Sequence, residues 1–331
     1  MMTFARTLVM LVTVVSTPLA AQTVPVPVAP KTPPADFDST TVVDVGMDRS
    51  SRMTVPVTVD GQGPYQFVVD TGADRTVVSR ELADHLNLAP SGTATMHTMS
   101  GVGQVNTVRV ATLEVGGGHN DDFNAPALAR ANLGANGLVG VDSLQGRRVI
   151  MDFGKGTLSI TNAKTREPVE PDTIVVTAKS RYGQLVLVDC DIGGIPITVI
   201  IDSGAQSSVG NLALRRMLEK RKKVHDFYPT VMTDVTGTLM TADVARVESI
   251  RLGGFALTNV GVVFADAHPF KRFDLLKRPA MLLGMDTLRA FRRVSVDFAA
   301  RKVRFLLPDQ SWDTSRGKWL ASRSPDTPSP L

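Results

Sequence analysis

The chain has 331 residues, 43% of them hydrophobic and 21% charged, which is enough apolar material for a sizeable core and too much for a fibrous or disordered chain. A formal charge of +4 favours acidic partners only weakly, and no nucleic-acid-binding motif accompanies it. The single cysteine, Cys190, excludes an intrachain disulfide and a cysteine-rich metal site, and is expected as a small buried apolar side chain.

Residues 1–21 read as a secretory signal: Arg6, the apolar residues 8–15, then small residues ending at Ala20 and Ala21. The apolar run is far shorter than the ~20 residues that cross a bilayer, so cleavage and export across an inner membrane into a periplasm are expected in place of an anchor. Residues 22–40 are proline-rich and suit an extended linker. Two copies of one unit follow, 41–162 and 173–308, joined by a polar connector at 163–172. The tail, 309–331, ends in Ser and Pro and is expected to be disordered.

The duplication shows when the sequence is shifted by 132 residues (202 minus 70). Thr41-Val42-Val43 then falls on Thr173-Ile174-Val175, Gly61 on Gly193, Pro64 on Pro196 and Asp70 on Asp202. With small insertions the match continues through Gly116-Gly117 and Gly253-Gly254, the Gly-x-Asp-x-Leu segments starting at Gly140 and Gly284, and Asp152-Phe153 and Asp297-Phe298. Each copy is rich in strand signals. Val55, Val57 and Val59 alternate, a turn follows at 61–64, and Phe67-Val68-Val69 is a continuous apolar strand, answered by Val199-Ile200-Ile201. Short helices are expected at 79–88 and 211–223, the second carrying a basic run read as a solvated face. The fold class expected is all-β: two similar barrel-like lobes with a cleft between them and a few short helices.

Both apolar strands end in matching turns, Asp70-Thr71-Gly72-Ala73 and Asp202-Ser203-Gly204-Ala205. Hydrolysis of an amide needs a group to take a proton from water and another to give one. A carboxylate pair holding a single proton does both. Two carboxylates about 3 Å apart cannot both ionise readily, so their proton affinities separate and one proton is shared. Gly72 and Gly204 let backbone approach closely, and Thr71 and Ser203 can both donate and accept, so the two turns can brace one another. Asp142 and Asp286 are expected to cap each copy's last helix, and Asp152 and Asp297 to serve final turns.

The segment Phe67-Val68-Val69-Asp70-Thr71-Gly72-Ala73-Asp74-Arg75-Thr76-Val77-Val78 resembles the active-site segment of the retropepsin-like aspartic peptidases. The later apolar-apolar-Gly element occurs twice, as Leu138-Val139-Gly140 and Leu282-Leu283-Gly284. The resemblance spans 41–307. It implies two lobes of the acid-protease type, each giving one catalytic aspartate, Asp70 and Asp202, with a β-hairpin flap over the cleft and no cofactor or metal. Both lobes lie on one chain, as in pepsins, so a monomer suffices and the expected partner is a protein or peptide substrate. Candidate flaps are Ser100-Gly101-Val102-Gly103 and the hairpin around Gly237. Asp74 and Gln206 are candidate substrate contacts. They differ from one another, so the subsites are expected to be asymmetric, and Val141 and Met285 stand where viral members carry the arginine that pairs with the aspartate matched by Asp74.

Other chemistries find little support. The five histidines show no zinc-peptidase spacing, and neither a Gly-x-Ser-x-Gly elbow nor a Walker-type phosphate loop occurs. An alternative is a peptide-binding module of the same fold that no longer cuts. A further alternative is a first lobe acting as half of an intermolecular dimer.

Overall fold

The first copy is built around a loop that leaves a sheet and returns across the same strand. Strand Gly137–Val139 pairs in parallel with Gln62–Val69 and antiparallel with Val77–Ser79, so residues 70–76 swing out between the two neighbours. The second copy repeats this, with Ala280–Leu283 lying between Ile195–Ile201 and Val209–Gly210. Such central strands are covered on both faces and must be continuously apolar. That is the reason for the apolar-apolar-Gly motif, and Leu138, Val139, Leu282 and Leu283 are all buried.

The structure is a computed structural model that describes residues 41–44, 46–47, 52–165, 167, 169–308 and 321–323. The expected signal and linker, 1–40, lie outside the described residues. All described residues belong to one compact unit, Phe37–Leu331.

In the first lobe an eight-stranded sheet closes on itself, because Met53–Val59 pairs with Gln62–Val69 on one side and with Val102–Val115 on the other. Val55, Val57 and Val59 point into this barrel, as their alternation predicts. In the second lobe Gln184–Ile192 closes the barrel by pairing with both Ile195–Ile201 and Leu239–Leu252. Cys190 is buried there.

The two lobes are not separate sheets. The final hairpin of the first, Arg147–Asp152 with Thr157–Asn162, pairs antiparallel with the final hairpin of the second, Arg293–Asp297 with Lys302–Leu306, placing Arg148 opposite Asp297. Thr173–Arg181 joins the far side of this platform, while Thr41–Asp44 adds at its near edge. The lobes therefore share one floor and a continuous hydrophobic core. A buried ion cluster crosses it, with Arg148 bonded twice to Asp297, at 3.0 and 2.7 Å, and Glu167 beside Arg304 at 3.1 Å. Asp297 thus does more than the turn expected of it, although it also accepts from the Ala300 N–H at 2.8 Å. Asp152 serves its turn by accepting from the Lys155 N–H at 2.9 Å.

Both helices expected at 79–88 and 211–223 form, each shorter than the sequence predicts. The first spans Arg80–His85, with Ser79 as N-cap, and the second Leu212–Lys220, with Asn211 as N-cap. In the second, Leu214 and Leu218 are buried. Arg215 packs over the Phe227 ring at 4.4 Å and pairs with Asp243, while residues 219–223 of the basic run face solvent. The tail departs from expectation in one place. Ala321–Arg323 forms a strand against Phe255–Leu257, whose outer edge offers unpaired backbone groups to any extended segment nearby. The rest of 309–331 lies outside the described residues.

Candidate active site

The strand-to-loop transition places Asp70 and Asp202 at the mouths of the two barrels. Their backbone N–H groups still bond the central strands, Asp70 to the Val139 carbonyl at 3.0 Å and Asp202 to the Leu283 carbonyl at 3.1 Å. Beyond that point the chain turns. The Gly72 N–H donates to Asp70 Oδ1 at 2.9 Å, and the Gly204 and Ala205 N–H groups donate to Asp202 Oδ1 at 3.1 and 3.0 Å.

The turns meet across the lobe interface. A Cβ placed on Gly72 would stand 2.5 Å from Asp202 Oδ1, and one on Gly204 would stand 2.1 Å from Asp70 Cγ. Each carboxyl group is therefore seated against the glycine of the opposite turn. The hydroxyls lock the arrangement reciprocally. Ser203 Oγ donates to the Val69 carbonyl at 2.8 Å and accepts from the Thr71 N–H at 3.1 Å, while Thr71 Oγ1 donates to the Ile201 carbonyl and accepts from the Ser203 N–H, both at 3.0 Å. Both side chains are buried, so removing either hydroxyl strands backbone groups where water cannot reach them. Ser203→Ala and Thr71→Val are each expected to lower unfolding free energy by roughly 1–3 kcal/mol, with a double variant less damaging than the sum, because each hydroxyl bonds the other residue's backbone N–H and both hold the same contact. Chemical denaturation checks this, and additive losses would show that the hydroxyls act separately.

Asp142 and Asp286 lie in the first turn of their helices, the N-cap positions being Gly140 and Gly284. Each carboxylate accepts from a helix N–H, of Ser143 at 2.8 Å and of Thr287 at 2.6 Å, and reaches also to the loop behind the aspartate turn. Asp142 accepts from Thr76 Oγ1 at 2.7 Å and from its N–H at 2.9 Å, and Asp286 does the same with Ser208 at 2.6 and 3.0 Å. A carboxylate bonded to a loop's backbone N–H and hydroxyl together holds that loop firmly. Gly140 and Gly284 are required by the same packing, since a Cβ on either would stand 2.4 or 2.6 Å from the backbone of Arg75 or Ser207.

Electrostatically the surroundings disfavour the charged form of both acids. Burial pushes the Asp70 carboxyl above its ordinary range. Burial, followed by the negative charge of Asp70, pushes Asp202 up to about 7. Among the described residues no cluster of three His, Cys, Asp or Glu side chains is placed to hold a metal ion.

The two candidate flaps are hairpins whose tips cross to the opposite lobe. The first joins Pro90–His97 to Val102–Val115, and the second joins Tyr228–Thr233 to Leu239–Leu252. At the first tip Met99 packs against the second lobe's apolar cluster, and at the second tip Val235 packs against the first lobe's. Ser100 Oγ donates to the Asp234 carboxylate of the second flap. Burial works to raise Asp234, but hydrogen bonds from Ser100, Thr236 and Thr98 outweigh it and hold the group at about 2. The Met99 carbonyl accepts from the His268 N–H at 2.9 Å, and His97 Nδ1 lies 2.8 Å from His268 Nε2. Burial lowers His268, with the charges of His97, Lys271 and Arg272 acting the same way, so that ring favours its neutral form. Gly101 lies at the first tip, Val102 and Gly103 are exposed beyond it, and Gly237 sits close against Asn132 of the first lobe.

In this setting the tandem comparison is decisive. Residues 55–146 match the family model described as "gag-polyprotein putative aspartyl protease", and residues 188–287 match the one described as "Aspartyl protease". The chain belongs to the retropepsin-like aspartic peptidases. None of the curated proteins matches it.

Retropepsin-like architecture gives context to the remaining candidates. Asp74 is ion-paired with Arg272 of the second lobe and accepts from Gln184 Nε2 at 3.1 Å. Gln206 is exposed, and its carbonyl accepts from the Asp286 N–H at 3.0 Å. Sequence reasoning missed Arg52, Gln184, Arg272 and the His97–His268 contact. A signal existed for the first two, because positions 52 and 184 are related by the same 132-residue shift as the aspartates. A cavity of about 490 Å³ opens beside the first flap, lined among others by Met96, Ser100, Leu128, Asn132 and Thr236. Neither aspartate lines it.

Proposed function

We propose that the protein is an endopeptidase that hydrolyses peptide bonds with one water activated between Asp70 and Asp202. The observation that carries this is the seating of each carboxyl group against the opposite turn's glycine, which puts two acids from two lobes into one water-poor site. The ionised carboxylate takes a proton from water as its oxygen attacks the amide carbon, while the protonated partner gives its proton to the carbonyl oxygen. The tetrahedral intermediate then collapses, the C–N bond breaks, and a proton passes to the leaving nitrogen. The water oxygen stays in the new carboxyl group.

The flaps in this reading close over an extended peptide and keep bulk water out. The cavity beside the first flap offers room for a substrate side chain. Since both acids lie on one chain, a monomer is the proposed active form. Export into a periplasm is proposed from the pattern of residues 1–21 alone. No helix among the described residues is long and apolar enough to cross a membrane.

Cleavage requires one proton on the pair, so activity is lost when both acids are protonated and again when both are ionised. With both groups raised and Asp202 at about 7, the optimum is expected to be mildly acidic, and cleavage falls as pH rises through about 7. Incubation with a pool of denatured proteins between pH 3 and 8, with products read by mass spectrometry, tests this. No products at any pH, with peptides bound but intact, would leave a binding module.

A further inference from the structure

The shift that pairs Asp70 with Asp202 also pairs Arg52 with Gln184. Both side chains are buried, and both leave their own lobe to hold the opposite aspartate turn. Arg52, 6% exposed, donates from Nη1 to the Gly204 carbonyl at 3.2 Å and from Nη2 to the Leu133 carbonyl of its own lobe. Gln184, 5% exposed, donates from Nε2 to the Gly72 carbonyl and to Asp74. The two straps share one geometry and differ by a unit of charge.

Gly204 is the residue against which the Asp70 carboxyl rests, so the guanidinium on its carbonyl stands close behind the acid pair. In a water-poor interior such a charge is weakly screened. It opposes the rise that burial imposes on both Asp70 and Asp202. Other charges nearby are already engaged. Asp74, which acts in the opposite sense on Asp70, is paired with Arg272, and Asp142 and Asp286 are held by Thr76 and Ser208.

We propose that Arg52 is a positioning residue for the carboxylate pair: it fixes the Asp202 turn through Gly204, and its charge keeps the pair singly ionised in more acidic solution than a neutral strap would allow. The site is thus nearly symmetric in shape and asymmetric in charge. This rests on the peptidase reading above.

The test is the pH dependence of kcat/KM for wild type, Arg52→Gln and Arg52→Lys. Removing a positive charge makes each ionisation harder, so in Arg52→Gln both limbs of the profile are expected to move up by about one pH unit, leaving about fivefold less activity at the wild-type acid half-point. Arg52→Lys keeps the charge and is expected to restore the limbs. A purely structural strap would scale activity evenly at every pH. Limbs unmoved in a folded Arg52→Gln overturn the proposal. Should that variant fail to fold, Gln184→Lys decides: a cation added to the matching strap moves both limbs down if the inference holds, and unmoved limbs overturn it. A wild type that cleaves nothing removes the peptidase reading itself, whereas a wild type with an ordinary bell and unmoved variants removes only the role of Arg52.

Discussion

Asp70→Asn and Asp202→Asn are each expected to reduce peptide cleavage by on the order of 10³-fold or more, because an amide neither takes a proton from water nor shares one with its neighbour. Equal loss from either side is the essential result, since a single shared proton makes the two acids one unit. Retention of more than about a tenth of wild-type activity in either variant would mean that the pair does not act jointly. Stability provides a readout free of activity. Asp202 stands at about 7 in the folded protein against an ordinary 3.8, so folding takes up a proton between these values. For a raised acid the folded state is penalised above the ordinary value. The penalty is complete above about 7 and vanishes below about 4, so stability from this group grows as pH falls through that window. Asp202→Asn removes the penalty. The variant is expected to be more stable than wild type at pH 8, by on the order of a few kcal/mol, with the gap closing towards pH 4. Parallel melting curves at all pH values would contradict the burial of an ionisable pair.

Gly204→Ala is expected to abolish most activity by displacement and not by chemistry. The added methyl would stand 2.1 Å from Asp70 Cγ, well inside contact distance, so the two turns must separate or twist. Misplacement of reacting groups by about 1 Å costs on the order of 10²-fold in rate, and overpacking a tight interior costs about 1–3 kcal/mol. Gly72→Ala meets Asp202 at 2.5 Å and is expected to behave alike. Gly261→Ala, with nothing within 4 Å, is the matching control and should leave both activity and melting unchanged. Full activity in Gly204→Ala would show that the turns are not in contact during catalysis.

Much of this is legible in the amino-acid sequence. The 132-residue shift picks out two copies, the apolar strands before Asp70 and Asp202 mark where each carboxyl emerges, and the hydroxyls at 71 and 203 anticipate a reciprocal brace. Local signals also located both hairpin tips, since glycine at 101 and 237 marks a turn in any context. What the sequence did not show were partners distant in it. Asp142 carries an ordinary capping signal, and its carboxylate also bonds Thr76, 66 residues away. Asp74, a candidate substrate contact, is ion-paired with Arg272 in the other lobe. Arg52 carries no signal beyond its place in the 132-residue shift.

The sequence alone determined the duplication, the β character and the two matching aspartate turns, because turn chemistry, alternation and apolar runs act over a few residues and leave their mark locally. Only the tertiary structure decided that the lobes share one floor, that each flap tip rests on the opposite lobe, and that an arginine stands behind one aspartate turn where an amide stands behind the other. Those outcomes depend on which surfaces meet when two near-copies pack face to face. Packing is set by shape and charge summed across the interface, which no short window of residues contains.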